Sequence, residues 1–81
     1  MNFLYSQKFK TALGYCSLEI QKKFYKQLEY LSKNIRHPSL RSKKYDESKK
    51  IWQARVDKNY RFYFLIDGEW YILLDICSHP T

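Results

Sequence analysis

Glycine, proline and cysteine are scarce: the chain has two of each in 81 residues. So few breakers leave no room for a flexible linker or a low-complexity tail, and two cysteines make no disulfide framework. No internal repeat is present. No apolar run approaches the roughly 18 residues that a spanning helix needs, so a membrane is not an expected partner. The first residues, Met1-Asn2-Phe3-Leu4-Tyr5, lack the charged start and long apolar stretch of a secretion signal. Cys16 and Cys77 are therefore expected as reduced thiols in a cytoplasm. Two Cys and two His, without C-x-x-C or H-x-x-x-H spacing, make no metal site. No small-molecule cofactor is expected.

Acidic residues are also in short supply, 8 Asp+Glu against 15 Lys+Arg, for a net charge of +7. That balance points to a polyanionic partner: nucleic acid, an acidic protein or, least of all, an anionic membrane surface. What the chain has in plenty is aromatic, with eight Tyr, five Phe and two Trp. The length suits one domain, 1–81. Such a domain buries only roughly 60% of the surface that its unfolded chain exposes. Large aromatics bury much area per residue and suit a thin two-layer fold. The same tyrosines could stack on RNA bases.

Phe3-Leu4-Tyr5 reads as a short strand. Ser6 can cap a helix over 7–13, with Gly14 as its stop. Ser17 can cap a longer helix. Its apolar stripe, Ile20, Phe24, Leu28, Leu31 and Ile35, has spacings of four, four, three and four, which marks one buried helical face. That helix must end near Asn34, because His37 precedes Pro38 and that position disfavours the α region; His37 reads as a structural residue there. From 38 to 50 the chain is basic and polar (Arg41, Lys43, Lys44, Lys49, Lys50) and reads as a loop with room for a strand near 41–45. Three strands follow, 51–56, 60–66 and 70–76, joined by Asp57-Lys58-Asn59 and Asp67-Gly68-Glu69. The expected class is α+β: a short N-terminal strand, a helical hairpin, then a three-stranded antiparallel meander, with the helices on one face of a small sheet.

Side chains alternate faces along a strand, and register follows from aligning the apolar sets. Three-residue loops do this, with Gly68 left-handed. Arg55 then lies opposite Arg61, and Gln53 opposite Tyr63, on the face away from the helices. Arg61 meets Asp75 on its other side. Tyr63, Leu65, Tyr71 and Leu73 share that face, which makes an apolar groove that a partner helix or strand could cover. By parity His79 falls there too. Opposed like charges destabilise a sheet, so two facing arginines make sense around an anion; forked guanidinium groups match a phosphate. The plainer alternative is two solvated arginines with a salt bridge to Asp75. Solvated loop lysines, a disordered terminal His and ordinary cross-strand Tyr packing are the corresponding alternatives for the other residues.

The stretches His37-Pro-Ser-Leu-Arg-Ser-Lys-Lys-Tyr45 and Ile51-Trp-Gln-Ala-Arg-Val-Asp-Lys-Asn-Tyr-Arg-Phe-Tyr-Phe64, with the closing Asp75-Ile-Cys-Ser-His79, resemble the RelE/ParE superfamily of toxins from bacterial type II toxin–antitoxin modules. The resemblance covers nearly the whole chain. It implies a cytoplasmic endoribonuclease, an mRNA interferase that cuts messenger RNA on the ribosome without a metal and is neutralised by a cognate antitoxin. It also implies that Arg61 is the recurring strand arginine, that Lys43 and Lys44 are the basic segment before the sheet, and that His79 is a terminal histidine. Pro80 stands where some relatives carry a Tyr, which leaves proton transfer to His79 or a lysine. The residues expected at the chemistry are Arg61, Arg55, His79 and Lys44, with Lys43, Arg41, Gln53, Tyr63 and Tyr71 as RNA contacts. Two other roles stay open: a ParE-like toxin that acts on DNA gyrase, and an inactive module that only binds its antitoxin.

Overall fold

A computed structural model of the chain describes residues 1–79. The order is β1 (Asn2–Tyr5), α1 (Gln7–Gly14), α2 (Leu18–Lys33), β2 (Lys43–Asp46), β3 (Ile51–Arg55), β4 (Tyr60–Asp67) and β5 (Trp70–Ser78). This is the expected α+β class, with one difference: the meander has four strands. They form one sheet in the order β1-β5-β4-β3-β2, with β1 parallel to β5 and every other pair antiparallel.

Ser6 and Ser17 cap the two helices as their positions predict. Their hydroxyl oxygens accept from the Phe9 and Ile20 amides, which satisfies one orphan donor at each helix start. Gly14 does not end α1 in a left-handed turn; it is the last helical residue, and Tyr15 caps the helix with α-region backbone. The predicted stripe of α2 holds. Ile20, Phe24, Leu28 and Leu31 are buried, and Ile35 packs at the edge of the core. Phe24 sits at the middle, with Phe9 and Phe62 each 5.2 Å away between ring centres. Both helices therefore cover one face of the sheet, over Ala54, Phe62, Phe64, Tyr71, Leu73 and Ile76.

The β3–β4 hairpin has the predicted register, with Gln53 opposite Tyr63, Ala54 opposite Phe62 and Arg55 opposite Arg61. The β4–β5 hairpin does not. Its turn has two residues, Gly68 and Glu69, so that Asp67 pairs with Trp70 and Phe64 with Leu73. Gly68 is left-handed, φ +57°, at the first central position, where a tight hairpin turn favours glycine. A bulge at Leu74 then restores pairing, with Tyr63 opposite Asp75 and Arg61 opposite Cys77. The expected Arg61–Asp75 pairing is replaced accordingly. Trp70, Tyr71, Ile72, Leu73 and Leu74 are apolar without a break, so alternation could not choose a face there. Tyr71 and Leu73 take the helix side, not the open side expected of them.

β2 was the least visible strand because it is short, polar and exposed. It pairs with β3 through Lys43–Gln53 and Lys44–Trp52, and a bulge follows at Tyr45.

The two glycines should respond in opposite directions to alanine. Gly14→Ala meets nothing within 4 Å of its new Cβ and should stabilise by about 0.5–1 kcal/mol through helix propensity. Gly68→Ala puts a Cβ on left-handed backbone and should destabilise by about 1–2 kcal/mol. Urea unfolding of both variants measures this.

Candidate functional site

The helix-free face of the sheet carries a cleft of ≈ 300 Å³ lined by Arg41, Lys43, Gln53, Arg55, Arg61 and His79. Every one of these was an expected site residue. Five of the six side chains are basic and none is acidic.

Alternation along three strands puts them together. Lys43 pairs with Gln53 in register, and Arg55 with Arg61. His79 follows β5 on the same parity as Cys77, the partner of Arg61. Its backbone N–H donates to the Asn59 carbonyl at 2.6 Å, which ties this residue to the β3–β4 turn.

Arg61 is the most confined cation, only 7% exposed. Its Nη1 donates to the carbonyl oxygens of Asp57 at 2.8 Å, Tyr60 at 3.0 Å and Lys58 at 3.2 Å. No carboxylate pairs with it among the described residues. Asp57, the nearest acid in sequence, is otherwise engaged. Its Oδ1 accepts from the Asn59 and Tyr60 amides, each at 2.8 Å, and its Oδ2 pairs with Lys23 at 3.2 Å. Burial pushes the Asp57 carboxyl up, but those amides and Lys23 together hold it below its usual range. The turn is thus ordered by its own aspartate, and its carbonyls then face Arg61.

Arg55 faces Arg61 across the strands. Partial burial, then the neighbouring Arg41 and Arg61 guanidinium groups, push its pKa down from the ordinary arginine value. Arginine stays charged through such shifts, so the three guanidinium groups repel one another and would welcome an anion.

Arg41 reaches the cleft from strained backbone, φ +45°, a conformation that disfavours side chains with a Cβ. Its neighbours hold it there. Leu40 is fully buried, and its carbonyl accepts from the Arg55 amide at 2.8 Å. Behind them lies Gln27 of α2, buried and polar. Its Nε2 donates to the Ser39 carbonyl at 3.0 Å and the Arg55 carbonyl at 2.9 Å. Its Oε1 accepts from the Ser39 hydroxyl at 2.9 Å. One glutamine therefore joins the loop before Arg41 to the strand end that carries Arg55. Sequence reasoning missed Gln27. The available signal was its place one residue from Leu28, inside the buried stripe.

The remaining expected residues lie elsewhere. Lys44 alternates to the opposite side of β2, with its ammonium 5.5 Å from the centre of the Trp52 ring. Lys44 therefore does not line the cleft. Tyr71 is 6% exposed and packs on Phe3 and Phe64, so it cannot meet RNA. Tyr63 stays on the open face, in a second groove beside the cleft. His37 stacks on Tyr30 at 3.9 Å, and its Nδ1 accepts from the Ser39 amide, which makes it a structural brace. Pro80 lies outside the described residues.

No protein-family model matches the chain, and no curated protein sequence does. Solved structures match it closely in shape. The YoeB/ParE toxin from Agrobacterium tumefaciens superposes with a TM-score of 0.81 at 9% identity, over 99% of this chain and 100% of that one. The YoeB dimer from Staphylococcus aureus gives 0.81 at 14% identity, over 100% and 98%. The RelB–RelE antitoxin–toxin complex from Methanococcus jannaschii gives 0.73 at 19% identity, over 93% and 88%. The chain has the fold of RelE/ParE-type toxins, the one its sequence resemblance implies. At these identities the likeness is one of fold.

Two measurements test the site. Gln27→Leu strands two carbonyls and a hydroxyl and should destabilise by about 2–3 kcal/mol in urea unfolding. Inorganic phosphate at about tenfold over its dissociation constant should stabilise by about 1.4 kcal/mol, a rise in Tm of roughly 8 °C. Chloride at matched ionic strength should not do so, and Arg61→Ala should lose the effect.

Proposed function

We propose that the chain is the toxin of a type II toxin–antitoxin pair and acts in the cytoplasm as a ribosome-dependent mRNA endonuclease. The observation that carries this reading is the cleft, where Arg41, Lys43, Arg55, Arg61 and His79 meet without an acidic side chain. The shared fold with YoeB, RelE and YafQ toxins supports it. Solved pairs such as YoeB–YefM and RelB–RelE support a cognate antitoxin as partner.

The reaction that suits this cleft is transesterification. The 2′-hydroxyl oxygen of one ribose attacks the adjacent phosphorus, its proton leaves to a base, and the 5′-oxygen of the next nucleotide departs with a proton from an acid. A cyclic phosphate and a free 5′-hydroxyl result. Negative charge builds on the phosphorane oxygens, and preorganised guanidinium groups stabilise charge where it develops. Arg61, locked by three carbonyls, and Arg55 opposite it fill that role. His79 has the imidazole chemistry for a proton carrier, and Lys43 is the other proton-bearing amine in the cleft. The donor set here is cationic and would repel a divalent metal, so the chemistry we propose needs none. The cleft is small and open. It can grip one phosphate and its flanking sugars but cannot extend and align a strand by itself. A ribosome that presents extended mRNA would supply that alignment.

Expression without an antitoxin should arrest growth and leave mRNA cut within codons, read by primer extension. Arg61→Ala should lower cutting at least 100-fold, as loss of a transition-state charge donor does, and His79→Ala should lower it comparably. Intact mRNA beside arrested replication would instead assign the chain to gyrase. Unchanged toxicity in both variants would remove the enzyme reading altogether.

A further inference from the structure

Beside the basic cleft, on the same open face, lies a larger groove of ≈ 560 Å³. Its floor is aromatic and aliphatic, built from Tyr45, Ile51, Tyr63 and Leu74, and Asp75 and Lys8 stand at its edge. The two sites are laid out strand by strand. β2 gives Lys43 to the cleft and Tyr45 to the groove; β3 gives Gln53 and then Ile51; β4 gives Arg61 and then Tyr63. Each step is two residues, roughly 7 Å along a strand. The groove therefore begins one such step from the phosphate-binding arginines.

We propose that this groove is a nucleobase subsite, occupied by an unstacked base next to the phosphate held in the cleft, with a preference for a base that carries an exocyclic amino group. The inference rests on the RNA-cleaving reading of the cleft and names part of its substrate recognition. Two features favour a base. Tyr45 and Tyr63 meet edge to face, with ring centres 4.9 Å apart, so one ring can present its face to a stacked base while the other walls the groove. Tyr45 is 60% exposed, so its ring is open to an incoming base. Such side chains are the usual platforms for splayed RNA bases.

Asp75 supplies the preference. The β5 bulge turns both Leu74 and Asp75 into the groove. One carboxylate oxygen, Oδ1, accepts from the Ile76 amide. The other, Oδ2, has only Lys8 among the described residues, at 3.5 Å, and the Lys8 side chain is 77% exposed. Such a pair is weak, which leaves Oδ2 to accept from a base. A carboxylate accepts well from the cytosine N4 amino group. Uracil places a carbonyl oxygen at that position and meets the carboxylate with repulsion.

The test uses the purified chain and three 2′-O-methyl trinucleotides that cannot be cleaved: cytidine, uridine and abasic trimers with the same phosphates. Binding is measured by calorimetry at low salt. The wild type should bind the cytidine trimer tightest and the abasic trimer weakest, with about tenfold between a base-bearing probe and the abasic one. Tyr45→Ala and, separately, Tyr63→Leu should close that tenfold gap and leave abasic binding unchanged. Asp75→Asn should bring cytidine and uridine to within twofold. Arg61→Ala should weaken all three probes together. If the wild type binds all three equally and Arg61→Ala still weakens them, the subsite falls and the cleft stands. If Arg61→Ala changes none of them, the cleft reading fails first. If Tyr45→Ala leaves every probe unchanged and only releases the co-expressed antitoxin, the groove is a protein-docking face and the proposal is overturned.

Discussion

The Arg61 guanidinium, nearly buried and held by three backbone carbonyls, is the constraint around which the site is arranged. A buried cation is usually matched by a carboxylate, because desolvating a lone charge costs several kcal/mol. Here main-chain dipoles do the holding, and they leave the positive charge uncancelled. The β3–β4 turn must keep one shape for this to work. Asp57 fixes it by accepting from two amides of its own turn, and Lys23 of α2 anchors Asp57 from the helix side. The acid nearest to Arg61 in sequence is thus spent on geometry rather than on neutralisation. Had Asp57 paired with Arg61 directly, the cleft would have lost much of its pull on an anion.

The second cation of the pair depends on a different element. Arg55 is the last residue of β3, and Gln27 grips its carbonyl from α2. The same amide group holds Ser39, so that buried Leu40 and strained Arg41 follow in fixed positions. Left-handed backbone at a non-glycine residue persists when its surroundings over-determine it. Helix α2 therefore supports both sides of the cleft, through Lys23 on the turn and Gln27 on the loop, one turn of helix apart. The helical layer does more than bury apolar surface: it sets the spacing of the charges on the far side of the sheet.

Much of the fold was legible in the sequence, and the reasons are physical. Serine caps, a 3.6-residue apolar stripe on α2 and polar turn residues all point to the same elements. The β3–β4 register was legible because only one alignment superposes Trp52, Ala54 and Val56 on Phe64, Phe62 and Tyr60, and it brought Arg55 to Arg61. β5 was not legible, because five consecutive apolar residues erase the period of two, and a bulge at Leu74 changes the phase partway along. That is why Tyr71 was expected on the open face and lies in the core, and why Asp75 was expected beside Arg61 and stands beside Tyr63. β2 was hidden for the opposite reason: it is polar throughout, so nothing marks which side of it faces the core. Lys44 was misplaced on that account, while Lys43, one residue earlier, lines the cleft.

The bulges on β2 and β5 do related work. Each lies on a strand that flanks the central β3–β4 hairpin, and each falls beyond the cleft: at Tyr45 on β2, at Leu74 on β5. Alternation alone already carries Tyr45, Ile51 and Tyr63 to the open face one step past the charged row, and the two bulges add Leu74 and break the flanking register. With them, the open face divides into a cationic half, beside the β3–β4 turn, and an apolar half further along the same strands, where β2 and β5 are bulged. The half proposed to bind a phosphate oxygen needs fixed geometry, because charge stabilisation falls off when donors are misplaced. Stacking tolerates more, since every base offers a π-face. The sheet thus places its rigid pairing where the charges must be exact in position and its irregular pairing where recognition is forgiving.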